Sequence, residues 1–330
     1  MLGGKPLILV TGGAGYVGSH TVLALLDKGK DVVVLDNLST GHRDLVGKAH
    51  LVVGDLTDRS SVEAVFQKFP IEGVFHFAAK SIVPESMKQP DLYYVNNVTG
   101  TINLLSTMVK YGVKNLVFSS TAAVYGEPEH VPITEDSPKN PQNVYGHTKL
   151  VIEEMLRNYF AAYSLKSVSL RYFNAAGADP EGRAGEDHDP ETHLLPIAFN
   201  TALGKRKEFT VYGTDYPTSD GTCIRDFIHV SDLAEAHLLA FEKLQKGELD
   251  CESFNLGSEK GYSVNQIVQV VKKVTGIDFP VSYGNRREGD PAVLIASSQR
   301  AQEKLQWKMK HSDLETIVST AWAWHQKRFR

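Results

Sequence analysis

Short, almost wholly apolar runs alternate with amphipathic stretches along the first half of the chain. Strands that are apolar at every position are buried on both faces, which is typical of a parallel sheet covered by helices on both sides. The pattern therefore predicts an α/β fold with a doubly wound parallel sheet. The predicted strands are 6–10, 31–35, 50–53, 73–77, 115–119 and 167–172, and the helices between them include 17–26, 61–69, 96–109 and 145–163.

The pattern loosens after about residue 176. Residues 177–190 are rich in Gly, Pro, Asp and Glu and predict a loop, whereas 232–245 and 264–275 keep a helical pattern. We therefore predict a sheet domain over 1–175 and a smaller mixed α/β domain, which carries the substrate, over 176–330. The segments expected to rejoin the sheet domain are parts of 225–260, among them a strand at 252–256.

Composition and charge argue against several classes of partner. The formal net charge is −4, from 35 Lys and Arg against 39 Asp and Glu, which is too small to favour nucleic acid or a charged membrane surface. No apolar run approaches the roughly 18–20 residues that span a bilayer. Two cysteines, Cys223 and Cys251, predict neither a disulfide framework nor a zinc site. The segment 6–10 lacks the basic flank and cleavage site of a secretory leader, so we expect a cytoplasmic protein.

A glycine-rich turn directly follows the first predicted strand, with Gly12, Gly15 and Gly18 leading into a helix that starts near Tyr16. Glycines allow a tight turn and a close backbone approach to a pyrophosphate, at which the helix directs its free N–H groups. Alone, the pattern fits a close-packed corner equally well. Asp36 ends the second strand roughly twenty residues on, where an acid that binds the ribose belongs. Its carboxylate accepts from the 2′-hydroxyl of NAD and repels the 2′-phosphate of NADP, so together these features predict NAD.

Two further strand ends fit the same interpretation. Asp55 follows the third strand and is a candidate partner for the adenine amino group. Phe77, Ala78 and Ala79 follow the fourth strand, and the small alanines let the backbone approach the cofactor. Each of these residues is equally compatible with a helix cap or a packing role.

Tyr145 and Lys149 lie four residues apart at the start of a predicted helix, so that both side chains share one face. The ordinary pKa of a tyrosine is about 10. A nearby ammonium, together with the positive nicotinamide ring, favours the phenolate and makes the tyrosine a general base. A surface pair is the alternative, but Ser119, Ser120 and Thr121 end the fifth strand, where hydroxyls can hold the same substrate oxygen.

The assembled motifs resemble those of the extended short-chain dehydrogenase/reductase superfamily and, within it, the UDP-glucose 4-epimerases. The resemblance covers essentially the whole chain, and it implies a Rossmann-like NAD-binding domain and epimerisation at C4 of a UDP-hexose without net redox change. The matching segments are 11–18, 36–39, 54–55, 76–79, 96–98, 100–101, 119–126, 145–149, 171–174, 212–213, 215–217, 220–222, 225–230 and 287–290.

The resemblance also implies roles for single residues. Tyr145, activated by Lys149, deprotonates the 4-hydroxyl, and Thr121 with Ser120 holds that oxygen. The additional cofactor-binding positions are Val17, Asn37, Ser39, Leu56, Asn96, Ser119 and Tyr172. The substrate-binding positions are Thr121, Asn174, His193, Leu194, Tyr212, Arg225, Arg287, Asp290 and Val293.

The two arginines can also be argued from their chemistry. Arg225 and Arg287 are fork-shaped donors suited to a pyrophosphate, Tyr212 is placed to flank the uracil, and Asp290 to bind the uridine ribose. A surface ion pair, such as Arg225 with Asp226, is the alternative for each arginine.

Related dehydratases carry an acid in the stretch that matches 120–124, whereas this chain has Thr121, Ala122 and Ala123. That difference favours epimerisation over a dehydratase, while a nucleotide-sugar decarboxylase stays an alternative. A non-catalytic NAD-sensing regulator is the third alternative, and such proteins typically lose the tyrosine or the lysine.

Two positions depart from the family pattern. Ser81 stands where some members have a lysine, which removes a direct contact with the cofactor phosphates. Val293 stands where some have a large tyrosine, which leaves room for a 2-acetamido group, so N-acetylated UDP-hexoses are candidate substrates as well.

The stretch 186–193 is rich in Glu, Asp and His but follows no helical spacing of a metal site. We expect a solvated loop on the substrate side and no metal ion. The resemblance further implies a homodimer that associates through the predicted helices 96–109 and 145–163.

Overall fold

The computed structural model describes residues 5–287 and 290–329. Its centre is a seven-stranded parallel sheet with the strand order β10-β6-β5-β4-β1-β2-β3. The strands of this sheet are β1 (Leu7–Thr11), β2 (Val32–Asp36), β3 (His50–Val53), β4 (Ile71–His76), β5 (Asn115–Ser119), β6 (Lys166–Tyr172) and β10 (Cys251–Leu256). The doubly wound parallel sheet predicted from the apolar runs is confirmed.

Helices cover both faces of the sheet. The helices are α1 (Tyr16–Asp27), α2 (Arg59–Lys68), α3 (Val83–Lys88), α4 (Pro90–Tyr93), α5 (Gly100–Lys110), α6 (Val144–Tyr163), α7 (Leu194–Ala202), α8 (Val230–Gln245), α9 (Val264–Thr275), α10 (Gln299–Leu305) and α11 (Leu314–Phe329). A π-helical segment, Tyr94–Thr99, joins α4 to α5. Among the described residues, no helix is long and apolar enough to cross a membrane.

The strands are apolar throughout because alternate side chains enter two different cores. In β1, Ile8 and Val10 belong to the core formed with α1 and α8. Leu7 and Leu9 belong to the core formed with α2, α5 and α6. Successive side chains of a strand point to opposite faces. When both faces are buried, every side chain of the strand lies in an apolar core.

The second half of the chain builds smaller sheets and returns to the main one. Its further strands are β7 (Asn174–Ala176), β8 (Phe209–Tyr212), β9 (Ile224–His229), β11 (Gly261–Ser263), β12 (Val281–Gly284) and β13 (Val293–Leu294). Strand β9 pairs with β7, β11 and β13, and β8 pairs with β12. Strand β10 lies in parallel beside β6 at the edge of the main sheet, while the domain boundary near residue 175 stays a prediction.

The strand order places a crevice between the carboxyl ends of β1 and β4. The connections from β1 to β2 and from β3 to β4 run to opposite sides of β1, and ligands bind at such a switch point in open α/β sheets. The second half of the chain reaches the region after β1, where the Tyr16 hydroxyl donates to the Gly177 carbonyl at 2.6 Å.

Candidate active site

The glycine-rich turn after β1 lies against the residues that follow β4. Gly12 has φ +72°, and a Cβ there would lie 2.5 Å from the backbone nitrogen of Ala78. A Cβ on Gly18 would lie 2.2 Å from the carbonyl oxygen of Gly12. The packing of the turn therefore leaves no room for a side chain at Gly12 or Gly18.

Gly15 is different, because a Cβ at this position would meet only the Gly12 carbonyl, at an ordinary 3.4 Å. Gly15 is also the N-cap of α1, and no described side chain caps the first N–H groups of that helix. Free N–H groups and an open position are what an approaching pyrophosphate needs. The turn therefore fits the diphosphate of NAD.

Asp36 is only 8% exposed, and its carboxylate accepts hydrogen bonds from the backbone N–H groups of Ala14, at 2.9 Å, and Leu38, at 2.8 Å. It thereby holds the end of β2 against the glycine turn. Because an ionised carboxylate has about four acceptor sites, it keeps capacity for the hydroxyls of a ribose.

Asp55, Asn37 and Ser39 lie together beyond β2 and β3. The amide of Asn37 donates to Asp55 at 2.8 Å, and its oxygen accepts from the N–H of Ser39 at 3.0 Å. Burial raises the pKa of Asp55, but hydrogen bonds from Asn37 and Thr57 outweigh it and hold the pKa below its usual range. Asp55 is therefore an ionised acceptor, which suits an adenine amino group.

Tyr145 and Lys149 lie on the first turns of α6, which is capped by Asn143. The Lys149 ammonium is 2% exposed, lies 5.9 Å from the centre of the Tyr145 ring and donates to the Ser119 carbonyl at 2.8 Å. Burial lowers the pKa of Lys149 to about 7. The predicted pair is thus assembled at the end of β5, with a lysine only partly protonated at neutral pH.

Close packing of α6 brings Tyr145 to Thr121. A Cβ on Gly146 would lie 2.5 Å from the carbonyl oxygen of Ala123, so only glycine lets the helix approach that segment. Burial raises the pKa of Tyr145, and a hydrogen bond with Thr121 opposes the shift without reversing it. The lowering predicted from the sequence is therefore not produced by the chain alone, since loss of hydration on burial outweighs the opposing effect of Thr121.

The other hydroxyls after β5 have different partners. The Ser120 hydroxyl donates to the Glu153 carboxylate at 2.6 Å, and Glu153 also accepts from the buried Arg171 at 2.8 Å. Ser119 lies 2.5 Å from the hydroxyl of Tyr172. The structure therefore brings Thr121 to Tyr145 and directs Ser120 towards a buried ion pair instead.

Asn97 is a residue that the sequence interpretation missed. It accepts from the Lys80 N–H at 2.8 Å and donates to the Lys80 carbonyl at 3.0 Å and to Thr148 at 3.1 Å. The side chain of Asn96 donates to it in turn, at 2.9 Å. Asn97 thus ties the backbone after Ala79 to α6, and a polar side chain within a predicted apolar helix face was the signal for it.

The predicted substrate residues of the second half form two pairs. Arg225 makes an ion pair with Asp290, the residue expected at the ribose, and not with Asp226. The guanidinium of Arg287 lies over the ring of Tyr212, 4.3 Å from its centre. Residues 288 and 289, in the same motif, lie outside the described residues.

The remaining predicted contacts lie on neighbouring strands. Asn174 donates to the backbone carbonyl of Asp226 at 3.0 Å, and Val293 pairs with Ile224. His193 is the N-cap of α7, and Leu194 is its first residue.

The loop 186–193 combines exposed residues, such as Asp189 and Thr192, with half-buried ones. Glu186 is 11% exposed at its side chain, and its carboxylate lies 3.2 Å from Nδ1 of His188 and 3.0 Å from Nδ1 of His193. Burial raises the pKa of Glu186, but the two neighbouring histidines lower it further, to about 2. The loop is therefore solvated only in part, because it folds back on itself, which sequence spacing does not reveal.

The chain matches known proteins over nearly its whole length. The model of the NAD dependent epimerase/dehydratase family matches residues 8–257. A UDP-glucose 4-epimerase from Halalkalibacterium halodurans is 54% identical over 97% of this chain and 96% of that protein. One from Lacticaseibacillus casei is 52% identical, also over 97% of this chain and 96% of that protein.

A solved structure agrees with these matches. The crystal structure of UDP-glucose 4-epimerase from Brucella ovis in complex with NAD is 46% identical to this chain. It superposes with a TM-score of 0.94 over 97% of this chain and 99% of that chain. This chain therefore belongs to the NAD dependent epimerase/dehydratase family and, within it, to the UDP-glucose 4-epimerases.

Proposed function

We propose that Tyr145 is the acid–base residue with which this NAD-dependent isomerase interconverts UDP-glucose and UDP-galactose. The observation that carries the proposal is the position of Tyr145 on the first turn of α6, with its ring 5.9 Å from the ammonium of the buried Lys149. Tyr145 takes the proton of the sugar 4-hydroxyl and later returns one to the same oxygen.

NAD, when bound, supplies the reversible hydride acceptor for C4 of the sugar. Lys149 contributes positive charge beside the phenol, and its bond to the Ser119 carbonyl fixes its position. Thr121 holds the oxygen that gains and loses the proton. The 4-keto sugar turns about its link to the pyrophosphate before it is reduced on the other face, so no net oxidation results.

We assign the cofactor contacts to the residues around the β1–β4 crevice. The open position at Gly15 and the ionised carboxylate of Asp55 support this assignment. The proposed NAD-binding residues are Gly12, Gly15, Tyr16, Val17, Gly18, Asp36, Asn37, Ser39, Asp55, Leu56, Phe77, Ala78, Ala79, Asn96, Ser119, Tyr145, Lys149 and Tyr172.

The UDP contacts are assigned to the second half of the chain. Arg225 and Arg287 offer fork-shaped donors to the pyrophosphate. Tyr212 is 42% exposed and presents a ring on which a uracil can stack. The further proposed substrate residues are Thr121, Asn174, His193, Leu194, Asp290 and Val293.

Replacement of Tyr145 tests the assigned base. Tyr145→Phe is expected to lower kcat with UDP-galactose by about 10²–10⁴-fold, since a general acid–base group is lost while the shape of the site stays. Steady-state kinetics and UDP binding are measured together, with the exposed Tyr163→Phe on the same helix as control. Full activity of Tyr145→Phe contradicts the proposal.

The products distinguish the alternative activities. Incubation with UDP-galactose is expected to give UDP-glucose without accumulation of NADH. A stable 4-keto-6-deoxy product would instead indicate a dehydratase, and the absence of any reaction a non-catalytic regulator. The segment 120–124 contains no acid, which favours the first outcome.

N-acetylated UDP-hexoses are a second candidate substrate class. Val293 is half-buried and its side chain is smaller than the tyrosine that some relatives have, which leaves room near the C2 side of the sugar. The purified protein is expected to turn over UDP-GlcNAc or UDP-GalNAc. No turnover of either sugar would remove this candidate.

A homodimer in the cytoplasm is the form that we propose. Val95, Ile102 and Tyr163 expose large apolar side chains on the π-helical segment, α5 and α6, which are the helices predicted to associate. Cys223 and Cys251 are both free thiols, which suits a reducing compartment.

A further inference from the structure

We infer that Glu186, His188, Glu191 and His193 form a binding site for a divalent cation, and that Zn²⁺ is the ion that it suits. Each residue offers one ligand atom, and these four atoms lie within 4.8 Å of one another. Over residues 5–287 and 290–329, this is the only group of His, Cys, Asp and Glu side chains that meets such a geometry.

The distances within the cluster match those between the ligands of a small tetrahedral ion. Nδ1 of His193 lies 3.0 Å from Glu186 and 2.9 Å from Glu191, and Nδ1 of His188 lies 3.2 Å from Glu186. Ligands about 2.0–2.2 Å from Zn²⁺ are separated by roughly 3.3–3.6 Å when the site is tetrahedral. These three separations are within a few tenths of an ångström of the tetrahedral value, and all the separations among the four atoms lie within 4.8 Å.

His188 supplies an independent indication of a missing partner. Its Nδ1 atom is shielded from solvent and lies 3.2 Å from the Glu186 carboxylate, but not in the geometry of a hydrogen bond, and no other described residue bonds to it. A buried ring nitrogen left unsatisfied costs free energy, and such atoms are rare in folded proteins. A cation between His188 and the carboxylates removes that cost.

The donor set selects the kind of ion. Two imidazole nitrogens and two carboxylate oxygens suit Zn²⁺ and similar transition metals, whereas Mg²⁺ and Ca²⁺ prefer oxygen ligands alone. Four protein ligands complete a tetrahedral site and leave no open position for a substrate or a water. The site is therefore structural rather than catalytic.

The location of the cluster indicates what the ion holds together. Glu186 and His193 come from opposite ends of one loop turn, so a shared ion closes that turn. The ring of His188 packs edge-on against Tyr16 at 6.0 Å, beside the glycine turn, and His193 directly precedes the helix that begins at Leu194. An ion here ties the loop before α7 to the cofactor-binding half of the chain.

A proton provides the competing explanation. A protonated His193 between the carboxylates of Glu186 and Glu191 also balances their charge, without any metal. The two accounts differ in metal content, which can be measured whether or not the chain is an active epimerase.

Metal analysis of untagged protein, purified without chelator and supplied with Zn²⁺, tests the inference. We expect one Zn²⁺ per chain by elemental mass spectrometry. Removal with a chelator is expected to lower the Tm, and Zn²⁺ but not Mg²⁺ is expected to restore it. Protein that stays free of zinc and binds none in calorimetric titration overturns the inference and supports the protonated cluster.

Variants locate the ion. His188→Ala and the nearly isosteric Glu191→Gln are expected to weaken Zn²⁺ binding by at least the ~10–100-fold that loss of an outer-shell partner costs. His130→Gln, which removes an exposed histidine outside the cluster, serves as the matched control and is expected to bind like the wild type. Equal binding by all three variants would place the zinc elsewhere and overturn the assignment.

Discussion

The ionisation of Tyr145 depends on neighbouring groups of the chain and also on positive charge that the chain itself does not supply. Burial raises the pKa of the phenol, and the hydrogen bond with Thr121 offsets only part of that shift. Burial also lowers the pKa of Lys149, to about 7. At the scale of single residues, the site therefore resists ionisation of Tyr145 until a bound positive charge is added.

The two hydroxyls after β5 are expected to differ in their effect on the reaction. Thr121 reaches Tyr145, whereas Ser120 donates to Glu153. Thr121→Ala should lower kcat by about tenfold or more, because a hydrogen bond at the reacting oxygen is lost. Ser120→Ala should chiefly lower the Tm. Equal losses of kcat in the two variants would show that Ser120 also serves the reacting oxygen.

Burial of Lys149 beside Tyr145 is expected to lower the free energy of unfolding of the protein. Its folded pKa of about 7 lies below the unfolded value of about 10.4. The unfolded chain therefore binds more protons between about pH 7 and 10, and the stability of the wild type rises with pH across that window.

Replacement of this lysine tests the pH argument. In protein stripped of nucleotide, Lys149→Met is expected to be more stable at pH 7 by roughly 2 kcal/mol, after subtraction of the lost bond to Ser119. The difference should shrink towards pH 10, and activity should be lost. Urea unfolding across pH measures it, and a constant difference between pH 7 and 10 would argue against a lowered pKa.

At the scale of elements, the docking of α6 against the segment Ala122–Val124 determines the position of the proposed catalytic residue Tyr145. Asn143 caps the helix and sets where it begins, and Gly146 sets how closely it approaches the backbone of Ala123. Two neighbours therefore set the position of Tyr145: the N-cap Asn143 before it, and Gly146, which has no Cβ, after it.

Gly146→Ala should disturb this arrangement. The new Cβ would lie 2.5 Å from the Ala123 carbonyl oxygen, so the helix must shift, at a cost of about 1–3 kcal/mol. We also expect a lower kcat, because Tyr145 moves relative to Thr121. Thermal unfolding and kinetics are compared with Gly100→Ala, whose Cβ would come no nearer than 3.1 Å to a side chain. Unchanged kcat in Gly146→Ala would contradict the proposed coupling.

At the scale of the whole molecule, the crevice gathers residues from both halves of the chain. The glycine turn and Asp36 lie at the β1–β4 switch point, whereas Arg225 lies on β9, Arg287 lies between β12 and β13, and the Glu/His cluster lies in the loop before α7. The proposed cofactor and substrate contacts therefore come from different parts of the sequence.

The exposed apolar side chains of the α5–α6 surface give the proposed dimer a test. Ile102 is 42% exposed, and Ile102→Asp is expected to weaken self-association at least tenfold, since a charge would be buried without a partner. Light scattering after size exclusion measures the mass against concentration. Tyr283→Asp, at a 60% exposed position on β12, is the control. A wild type that is monomeric at all concentrations would refute the dimer.

Much of this protein follows from local patterns in its sequence. Apolar runs predict the parallel sheet because a strand buried on both faces must be apolar at every position. The glycine turn, Asp36 and the Tyr145–Lys149 pair were also recognisable, since their chemistry depends on short spacings along one turn or helix.

Tertiary structure decided the features in which distant or irregular segments meet. The Ser120 hydroxyl turns to Glu153, Arg225 pairs with Asp290, and loop 186–193 folds into a compact cluster beside Tyr16. No periodicity marks these contacts, because loops lack a repeating geometry and because partners chosen across 33 or 65 residues depend on the packing of the whole chain.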